Sequence, residues 1–388
     1  MVKLKLPGAL TIFKKKSELL NNQIIPGKKN FNLKFNLLTK KQSYMGIDIG
    51  TRFIKAVQID KSARGLRVQH YAAIRTPQDI WLNEFQPEML AAELEKLIES
   101  VDIKKCKINI TIGSNKIITR HIHMPDMPAK ELANAIKWEA EKYIPIPVDK
   151  LILDHVILEP SNQEGIKQNH ILLAAITRDN VKLYHHAFWL ANLQISAIDL
   201  ASFSIWRVFV GLNPDFPPEV TAIIDIGYTG SQMVVVQNRR IVFTRMMPIG
   251  ARTIFDSLVR STHIDMQQIV ETLESGRLNI PEVNRQVAAV AENTMGVEEF
   301  LGGGIADFAR EVRRSLEFFR TQGRNAVKRI IVTGGAANFV GIDRLLAREL
   351  NMPIELGVIE LPIKDNPDEK LNPSYAAALG LALREVVQ

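Results

Sequence analysis

One short phrase occurs twice in this chain. Gly46-Ile47-Asp48-Ile49-Gly50-Thr51 and Ile224-Asp225-Ile226-Gly227-Tyr228-Thr229 each bring an apolar strand to an Asp and then to a Gly at a tight turn. Each is followed by a β-rich run, Phe53 to Asp60 and Gln232 to Val236. The repetition predicts two related half-domains that face each other. A third Gly turn, Gly334-Gly335-Ala336, follows the apolar strand Arg329 to Thr333 near the C-terminus. A lone Asp-x-Gly has the letters of any strand exit; three Gly turns after three strands, in this order, predict a site for one nucleotide.

The residue types fit that chemistry. A phosphate needs backbone N–H groups at close range, and Gly lets the backbone approach it. Asp48 and Asp225 would repel the same anion unless a divalent cation, Mg²⁺ with several retained waters, lay between them. The two are therefore expected to hold a metal-bound nucleotide through water. Lys55, seven residues beyond Asp48, supplies positive charge for a polyphosphate.

The chain has 388 residues and is 46% apolar, enough for two or three domains with proper cores. It contains no uninterrupted apolar run of the ~18 residues that a membrane span needs, and no signal-peptide pattern is found around Pro7, Gly8 and Lys14-Lys15-Lys16; the expected location is the cytoplasm. The single cysteine, Cys106, excludes an internal disulfide and a cysteine-rich zinc site. The net charge of +7 is unevenly spread: residues 1–44 hold ten Lys against Glu18 alone, a balance of +9, which leaves the remaining 344 residues at −2. A nearly neutral body argues against nucleic-acid binding. The basic tail is expected to be flexible, with contact to anionic lipid as its functional alternative.

Periodicity predicts a three-strand meander over Met45 to Ile74, a helix from Glu88 to Val101 and a strand from Lys107 to Gly113. Residues 114–178 interrupt this plan with strands at Ile117 to Ile122, Leu151 to Leu158 and Ile171 to Ile176, a helix from Ala129 to Tyr143 and a polar loop from Glu159 to Asn169. They are read as an inserted subdomain. Helices Asn180 to Leu193 and Ala201 to Val210 complete a first half at 45–212, and the link Asn213 to Pro218 separates it from a second half at 219–388. That half opens with the same meander and continues through helices Ile254 to Ser261, Met266 to Ser275, Asp307 to Thr321 and Phe339 to Leu350. It closes with an Ala-rich helix, Pro373 to Val386. His121 and His123 share one strand face without an evident third ligand and are read as surface imidazoles. No P-loop, Gly-x-Ser-x-Gly or His-Glu-x-x-His is present.

Several stretches together resemble the actin-like nucleotide-binding superfamily of actin, the Hsp70 ATPase domain, sugar kinases and the cell-division protein FtsA. They are the two Asp-Ile-Gly turns with Lys55, Pro248-Ile249-Gly250, Glu311-Val312-Arg313-Arg314-Ser315-Leu316, and Val332-Thr333-Gly334-Gly335. Trp138-Glu139-Ala140-Glu141-Lys142-Tyr143-Ile144-Pro145-Ile146-Pro147 is more specific and resembles the PilM family of type IV pilus assembly, from about Met45 to the C-terminus. The resemblance implies an α/β, actin-like two-domain fold of duplicated βββαβα halves with an inserted FtsA-type small subdomain.

It further implies ATP and Mg²⁺ in the cleft between the halves. Asp48, Gly50, Thr51 and Lys55 would lie on one side of the phosphates, facing Asp225, Gly227, Thr229 and Ser231. Gly334, Gly335 and Ala336 would lie beside the adenosine, with Glu311 and Arg314 as ribose or base contacts; an intrahelical ion pair is the alternative for the last two. The family dock is a short cytoplasmic N-terminal peptide of a PilN-like inner-membrane protein, bound near the inserted subdomain, with other pilus assembly proteins as further partners and a homo-oligomer allowed. Arg52, Phe53 and Tyr228 stand where relatives carry small residues, so Arg52 could pair with a phosphate or occupy the site itself. Asp199 is the carboxylate nominated to orient an attacking water, an N-cap being the alternative. The competing readings are a sugar or small-molecule kinase, which would need a catalytic Asp and a polar sugar pocket, and an FtsA-like cytoskeletal protein, which would carry a C-terminal amphipathic helix.

Overall fold

The computed structural model describes residues 42–63, 65–81, 85–99, 101, 106–113, 116–163, 166–262, 297–339 and 341–387. The basic tail as far as residue 41 and the helix expected over Met266 to Ser275 lie outside the described residues. Two five-stranded sheets share one plan. In the first, β1 (Gln42–Ile49), β2 (Phe53–Ser62) and β3 (Gly65–Arg75) form an antiparallel meander. After helix α1 (Pro87–Ile98), strand β4 (Lys107–Thr111) joins β1 in parallel. The inserted subdomain follows as β5 (Ile118–Pro125), α2 (Ala129–Tyr143), β6 (Leu151–Gln163) and β7 (Ile166–Thr177). Helix α3 (Arg178–Leu190), strand β8 (Ile195–Ile198) parallel to β4, and helix α4 (Ala201–Trp206), which runs on as a π-helical turn over Arg207–Gly211, complete the first half.

The second sheet repeats the order. Strands β9 (Thr221–Ile226), β10 (Ser231–Gln237) and β11 (Arg240–Met247) make the meander. Helices α5 (Ala251–Thr262) and α6 (Val297–Thr321) precede β12 (Arg329–Thr333), which pairs in parallel with β9; helix α7 (Ile342–Leu350) leads to β13 (Ile354–Leu356). Helix α6 starts ten residues earlier than the expected Asp307, because Gly304 serves packing and not chain reversal. A Cβ on Gly304 would come within 2.7 Å of the Ile254 Cα, so the bare glycine lets α5 lie against α6.

The last helix corrects the boundary read from the sequence. Residues 357–375 leave β13 and cross to the first half, where Val68 N–H donates to the Pro362 carbonyl at 2.9 Å and Lys364 N–H to the Val68 carbonyl at 2.9 Å, covering the edge of β3. A 3-10 turn (Pro373–Tyr375) then opens α8 (Ala376–Ala382), which lies on β1 and α4. A division at 219 thus follows chain order and not packing. The alanines are explained by crowding on both sides: a Cβ on Gly46 would stand 1.9 Å from the Ala378 carbonyl oxygen, and one on Gly380 2.0 Å from that of Ser204. Asn109 Nδ2 donates to the Leu381 carbonyl at 3.1 Å, which orients α8 on the sheet.

A buried ion triad locks the same region. Asp199 is fully buried, with Oδ2 2.8 Å from Arg207 Nη2 and 3.1 Å from Arg384 Nε, while Oδ1 accepts from the Leu200 N–H at 2.8 Å. Both lone-pair sets are used in holding β8, α4 and the C-terminal turn together, so Asp199 neither faces a substrate nor caps a helix through its side chain.

The inserted subdomain also departs from expectation. Apart from residues 164–165, which lie outside the described residues, its polar loop is strand, with β6 running to Gln163, β7 starting at Ile166 and Glu159 registered against His170. The apolar pattern stops there because these side chains meet the second half instead of a core. Arg324, beyond α6, pairs with Glu159 and reaches His170 Nδ1 at 3.2 Å. His121, far from being a surface imidazole, is hydrogen-bonded at both nitrogens, Nδ1 to His170 Nε2 at 2.9 Å and Nε2 to the backbone of Thr244 on β11 at 3.0–3.1 Å. His123 stacks on His170 at 4.8 Å. Burial, then the neighbouring His170, pushes His121 down to about 3, so it remains neutral. Burial opposes the ionised Glu159, yet its bonds to His170 and Arg324 hold it down to about 2. Among the described residues no group of three or more His, Cys, Asp or Glu is arranged to hold a metal; the cluster is a clasp between the inserted subdomain and the second sheet.

Gly380→Ala is expected to lower the unfolding free energy by about 3 kcal/mol through overpacking against α4, despite alanine's helix propensity; a urea midpoint equal to wild type would place α8 elsewhere. Asp199→Asn leaves the buried Arg207 and Arg384 guanidinium groups short of a counter-charge and is expected to cost about 3–5 kcal/mol; a urea midpoint equal to wild type would show that the triad does not hold the fold.

Candidate functional site

The cleft between the two sheets is built from equivalent positions. Strands β1 and β9 are the central strands of their sheets, and each delivers its Asp at the end that faces the other half. Asp48 and Asp225 both line a cavity of about 520 Å³, within the range of small-molecule sites. Each is reachable by water through the cleft mouth and enclosed by protein on its other sides. Their carboxyls sense one another. Burial, then repulsion from Asp48, pushes Asp225 up to about 6 with Lys55 opposing; burial raises Asp48 as well, again against Lys55. Two carboxylates that share one lysine titrate as a pair.

The turns that follow are also equivalent. Gly50 and Gly227 each sit where a Cβ would collide with the carbonyl three residues on, 2.7 Å from Phe53 O and 2.6 Å from Gly230 O. These glycines are required by the tightness of the turn itself, a different reason from the phosphate approach expected from the sequence. Thr51 Oγ1 lies 3.0 Å from Thr229 Oγ1, bridging the halves across the cleft. The Arg52 guanidinium stacks over Tyr228 at 5.0 Å from the ring centroid and lies 5.9 Å from that of Phe53. Lys55, the antiparallel register partner of Asp48, donates to the Ser374 carbonyl at 2.8 Å.

The third turn serves two purposes. Gly334 has φ +89°, and a Cβ there would stand 2.1 Å from Asp225 Oδ1. It makes room for the carboxylate and is not itself on the cavity wall. Gly335 and Ala336 are on the wall, and no atom lies within 4 Å of where a Gly335 Cβ would be, so this stretch of backbone is open to a ligand. Ala336, Phe339 and Phe255 form an apolar surface, with the two rings edge to face at 6.3 Å.

Three expected site groups lie elsewhere. Ser231 is buried and donates to the Ile249 carbonyl at 2.7 Å, buttressing the second turn from behind. Glu311 and Arg314 are absent from the cavity wall: Arg314 Nη1 pairs with Glu311 Oε2 at 3.0 Å, and Arg245 Nη2 reaches Glu311 Oε1 at 3.2 Å, forming a surface network between α6 and β11. Their i,i+3 spacing, noted in the sequence, accounts for the pair. Asp199 is likewise outside the cavity.

Other cleft residues escaped the sequence reading although a signal existed. Gln232 stands seven residues beyond Asp225, as Lys55 stands beyond Asp48, and is likewise its antiparallel partner. Thr111 on β4 and Thr333 on β12 pair with Asp48 and Asp225 in parallel register, so Ile112-Gly113 is the first-half counterpart of Gly334-Gly335, and both Ile112 and Gly113 line the cleft. Counting offsets from the two Asp residues would have found Gln232, whereas the Ile112-Gly113 correspondence follows from the sheet register alone. Phe255, Asn338 and Tyr375 carry no such signal, since the chain folds back to bring them in.

Comparison with known proteins gives the same architecture. The solved PilM-PilN type IV pilus biogenesis complex is similar over 89% of this chain and 99% of that chain, at 25% identity and a TM-score of 0.74. The ethanolamine utilization protein EutJ from Carboxydothermus hydrogenoformans is similar in fold, at 14% identity over 88% of this chain and 89% of that one, with a TM-score of 0.52. Among curated proteins, the cell division protein FtsA of Borreliella burgdorferi is 22% identical over 328 residues, which span 75% of this chain and 76% of FtsA. The fold is the actin-like two-domain fold, and residues 46–386 match the family described as type IV pilus assembly protein PilM, to which this chain belongs.

Proposed function

We propose that this protein is an ATP-binding scaffold of type IV pilus assembly that docks the cytoplasmic N-terminus of a PilN-like inner-membrane protein. The observation that carries the nucleotide part is the facing pair Asp48 and Asp225 on one cavity wall, where burial and then repulsion from Asp48 raise Asp225 to about 6. Such a pair favours a bound cation, and Mg²⁺ with retained waters, bridging to phosphates, suits it. The cation would neutralise phosphate charge; Asp48 and Asp225 would hold it through water. Lys55 balances the carboxylates, the open backbone at Gly335 admits the ligand, and Ala336, Phe255 and Phe339 give a base an apolar wall. Among the described residues Asp48 and Asp225 are the only carboxylates on the cavity wall. With both given to the cation, none is left to activate water, which supports binding with little hydrolysis.

The partner part is supported by family membership and by the likeness to a complex of PilM with PilN. On this reading the partner provides the attachment to the inner membrane. The ten lysines of residues 1–44 add attraction to anionic lipid, worth about 1 kcal/mol for each one near the surface.

Calorimetry tests both parts. MgATP is expected to bind wild type, with the heat lost in Gly227→Val, where a side chain must displace the Gly230 carbonyl, and affinity lowered about tenfold or more in Lys55→Ala. A synthetic PilN-like N-terminal peptide is expected to bind wild type and both variants alike. Unchanged MgATP heat in the variants removes the cleft assignment, and a silent peptide removes the scaffold.

The pH dependence has a defined sign. Folded Asp225 holds its proton up to about pH 6, whereas an unfolded Asp releases it near 3.9. The ligand-free fold is therefore most favoured below the unfolded value and loses that stabilisation as pH rises through about 6. A cation must displace the same proton, so MgATP affinity is expected to fall as pH drops below about 6. In Asp225→Asn the ligand-free stability should lose this slope; a profile identical to wild type would assign the proton elsewhere.

A further inference from the structure

The segment that crosses from β13 to the first half leaves an open sheet edge. Val68 on β3 bonds to the Pro362 carbonyl and the Lys364 N–H, so those two residues turn their backbone groups inward. Backbone groups alternate along an extended chain. The N–H and C=O of Leu361 and Ile363 therefore face outward, and no described residue bonds them. The missing N–H of Pro362 is on the inner side and takes nothing from this edge. An edge of this kind is a template for a further strand. Its charge is one-sided: Glu355 to Lys370 holds five acids against two lysines, whereas residues 45–388 as a whole balance at −2. Asp365 and Asp368 are exposed, without a side-chain hydrogen bond or ion pair among the described residues.

The same chain contains a strand pattern that fits. Phe31-Asn32-Leu33-Lys34-Phe35 alternates apolar and polar residues at the strand period, follows Lys28-Lys29, and belongs to the stretch whose balance is +9. The register of the first sheet sets its distance. Tyr44, Ile59, Val68 and Ile363 are successive neighbours across the sheet, so a strand outside Ile363 stands four spacings from β1, about 19 Å. The residues from Asn36 to Lys41 span about 20 Å when extended. Direction agrees as well. The crossing segment runs parallel to β3 and hence to β1, so a strand that descends to the start of β1 lies antiparallel to it. With Phe35 beside Leu361, Lys28 and Lys29 come level with Asp368 and its neighbours.

From this we infer that residues 31–35 add to the crossing segment of their own chain as an outer antiparallel strand. Main-chain bonds to Leu361 and Ile363 hold it there, and Phe31, Leu33 and Phe35 prolong the buried face on which the side chains of Leu361 and Ile363 lie. Lys28 and Lys29 supply the counter-charge for Asp365 and Asp368. Lysines seated in this way are withheld from anionic lipid, so the contact restrains the membrane attraction of the tail until a competing anionic surface takes them over.

The test is zero-length carbodiimide coupling of the full chain, in an equal mixture of unlabelled and isotopically labelled protein, read by peptide mass spectrometry. Coupling of Lys28, Lys29 or Lys34 to Glu360, Asp365 or Asp368 is expected within single copies, at about fivefold or more the yield to the exposed Glu88, Glu95 and Glu131. Residues 32 and 33 face opposite ways in a strand, so one of Asn32→Pro and Leu33→Pro removes a ladder N–H and should cut that yield about fivefold. Phosphatidylglycerol vesicles should lower the wild-type yield about threefold, and phosphatidylcholine vesicles should leave it unchanged. A yield no higher than at the comparison acids overturns the docking. Coupling found only between labelled and unlabelled copies gives the edge to a second molecule and overturns the contact within one chain. Coupling that survives both prolines shows attraction of charge without a strand, and overturns the added strand. Equal yields with the two kinds of vesicle overturn the restraint on lipid binding.

Discussion

Asp48 and Asp225 cannot move away from each other. Each ends the central strand of a five-stranded sheet, held by ladders on both sides. Each is flanked by isoleucines at least 99% buried: Ile47 and Ile49 in one half, Ile224 and Ile226 in the other. With the backbones fixed, the repulsion has to be met by chemistry at the side chains: the single ammonium of Lys55, a proton, or a cation from solution. Gly334 is part of the same constraint, since the space that any side chain there would fill is occupied by Asp225 Oδ1. Two well-packed hydrophobic sheets are thus the reason that a charged cleft between them persists.

Duplication gives this cleft an approximate two-fold character, and the departures from it matter chemically. The third residue after one Asp touches the fourth after the other in both directions: Thr51 meets Thr229, and Arg52 meets Tyr228. At the seventh position the symmetry fails, with Lys55 in one half and Gln232 in the other. Among the described residues, the two cations on the cleft wall, Arg52 and Lys55, therefore come from the first half, while Phe255, Ala336 and Phe339 come from the second. A polyphosphate joined to a flat apolar base is itself polar at one end and apolar at the other, so this division of labour suits it better than a symmetric pocket would.

The parts of the fold legible in the sequence are those fixed by short-range rules. The two meanders, the Gly turns and helix α2 follow from period and turn chemistry, and the resemblance rests on those same stretches. What could not be read depends on contacts between distant segments. The Ala-rich composition of α8 marks close approach on two sides, yet nothing local says that those sides are β1 and α4 in the first half. Asp199 sits before a helix as a functional carboxylate would; its two arginine partners lie 8 and 185 residues further on. The polar run from Glu159 to Asn169 imitates a loop because its strands turn toward Arg324 and not toward a core. Ser231 and the Glu311–Arg314 pair have residue types suited to a ligand, but their polar atoms are engaged by Ile249 and Arg245. Residue type predicted chemistry there without predicting direction.

The histidine clasp gives the inserted subdomain a defined relation to the cleft. His121 grips Thr244 on β11, and the chain runs on through Met246 in that strand to Pro248 just beyond it, both of which line the cavity. Just beyond, Ala251 N–H and Arg252 N–H donate at 2.9 Å to the carbonyls of Gly227 and Tyr228, so the chain leaving β11 is the support of the second turn. Gly250 has no space for a side chain between them, with a Cβ falling 2.5 Å from Gly227 O and 2.6 Å from Tyr228 O. One short stretch, from Thr244 to Arg252, therefore carries the grip of the inserted subdomain at one end and the turn that presents Tyr228 to Arg52 at the other. Because His121 is held neutral and bonded at both nitrogens, that grip is directional, and any displacement of the second turn has to be absorbed within these few residues or passed on to the inserted subdomain.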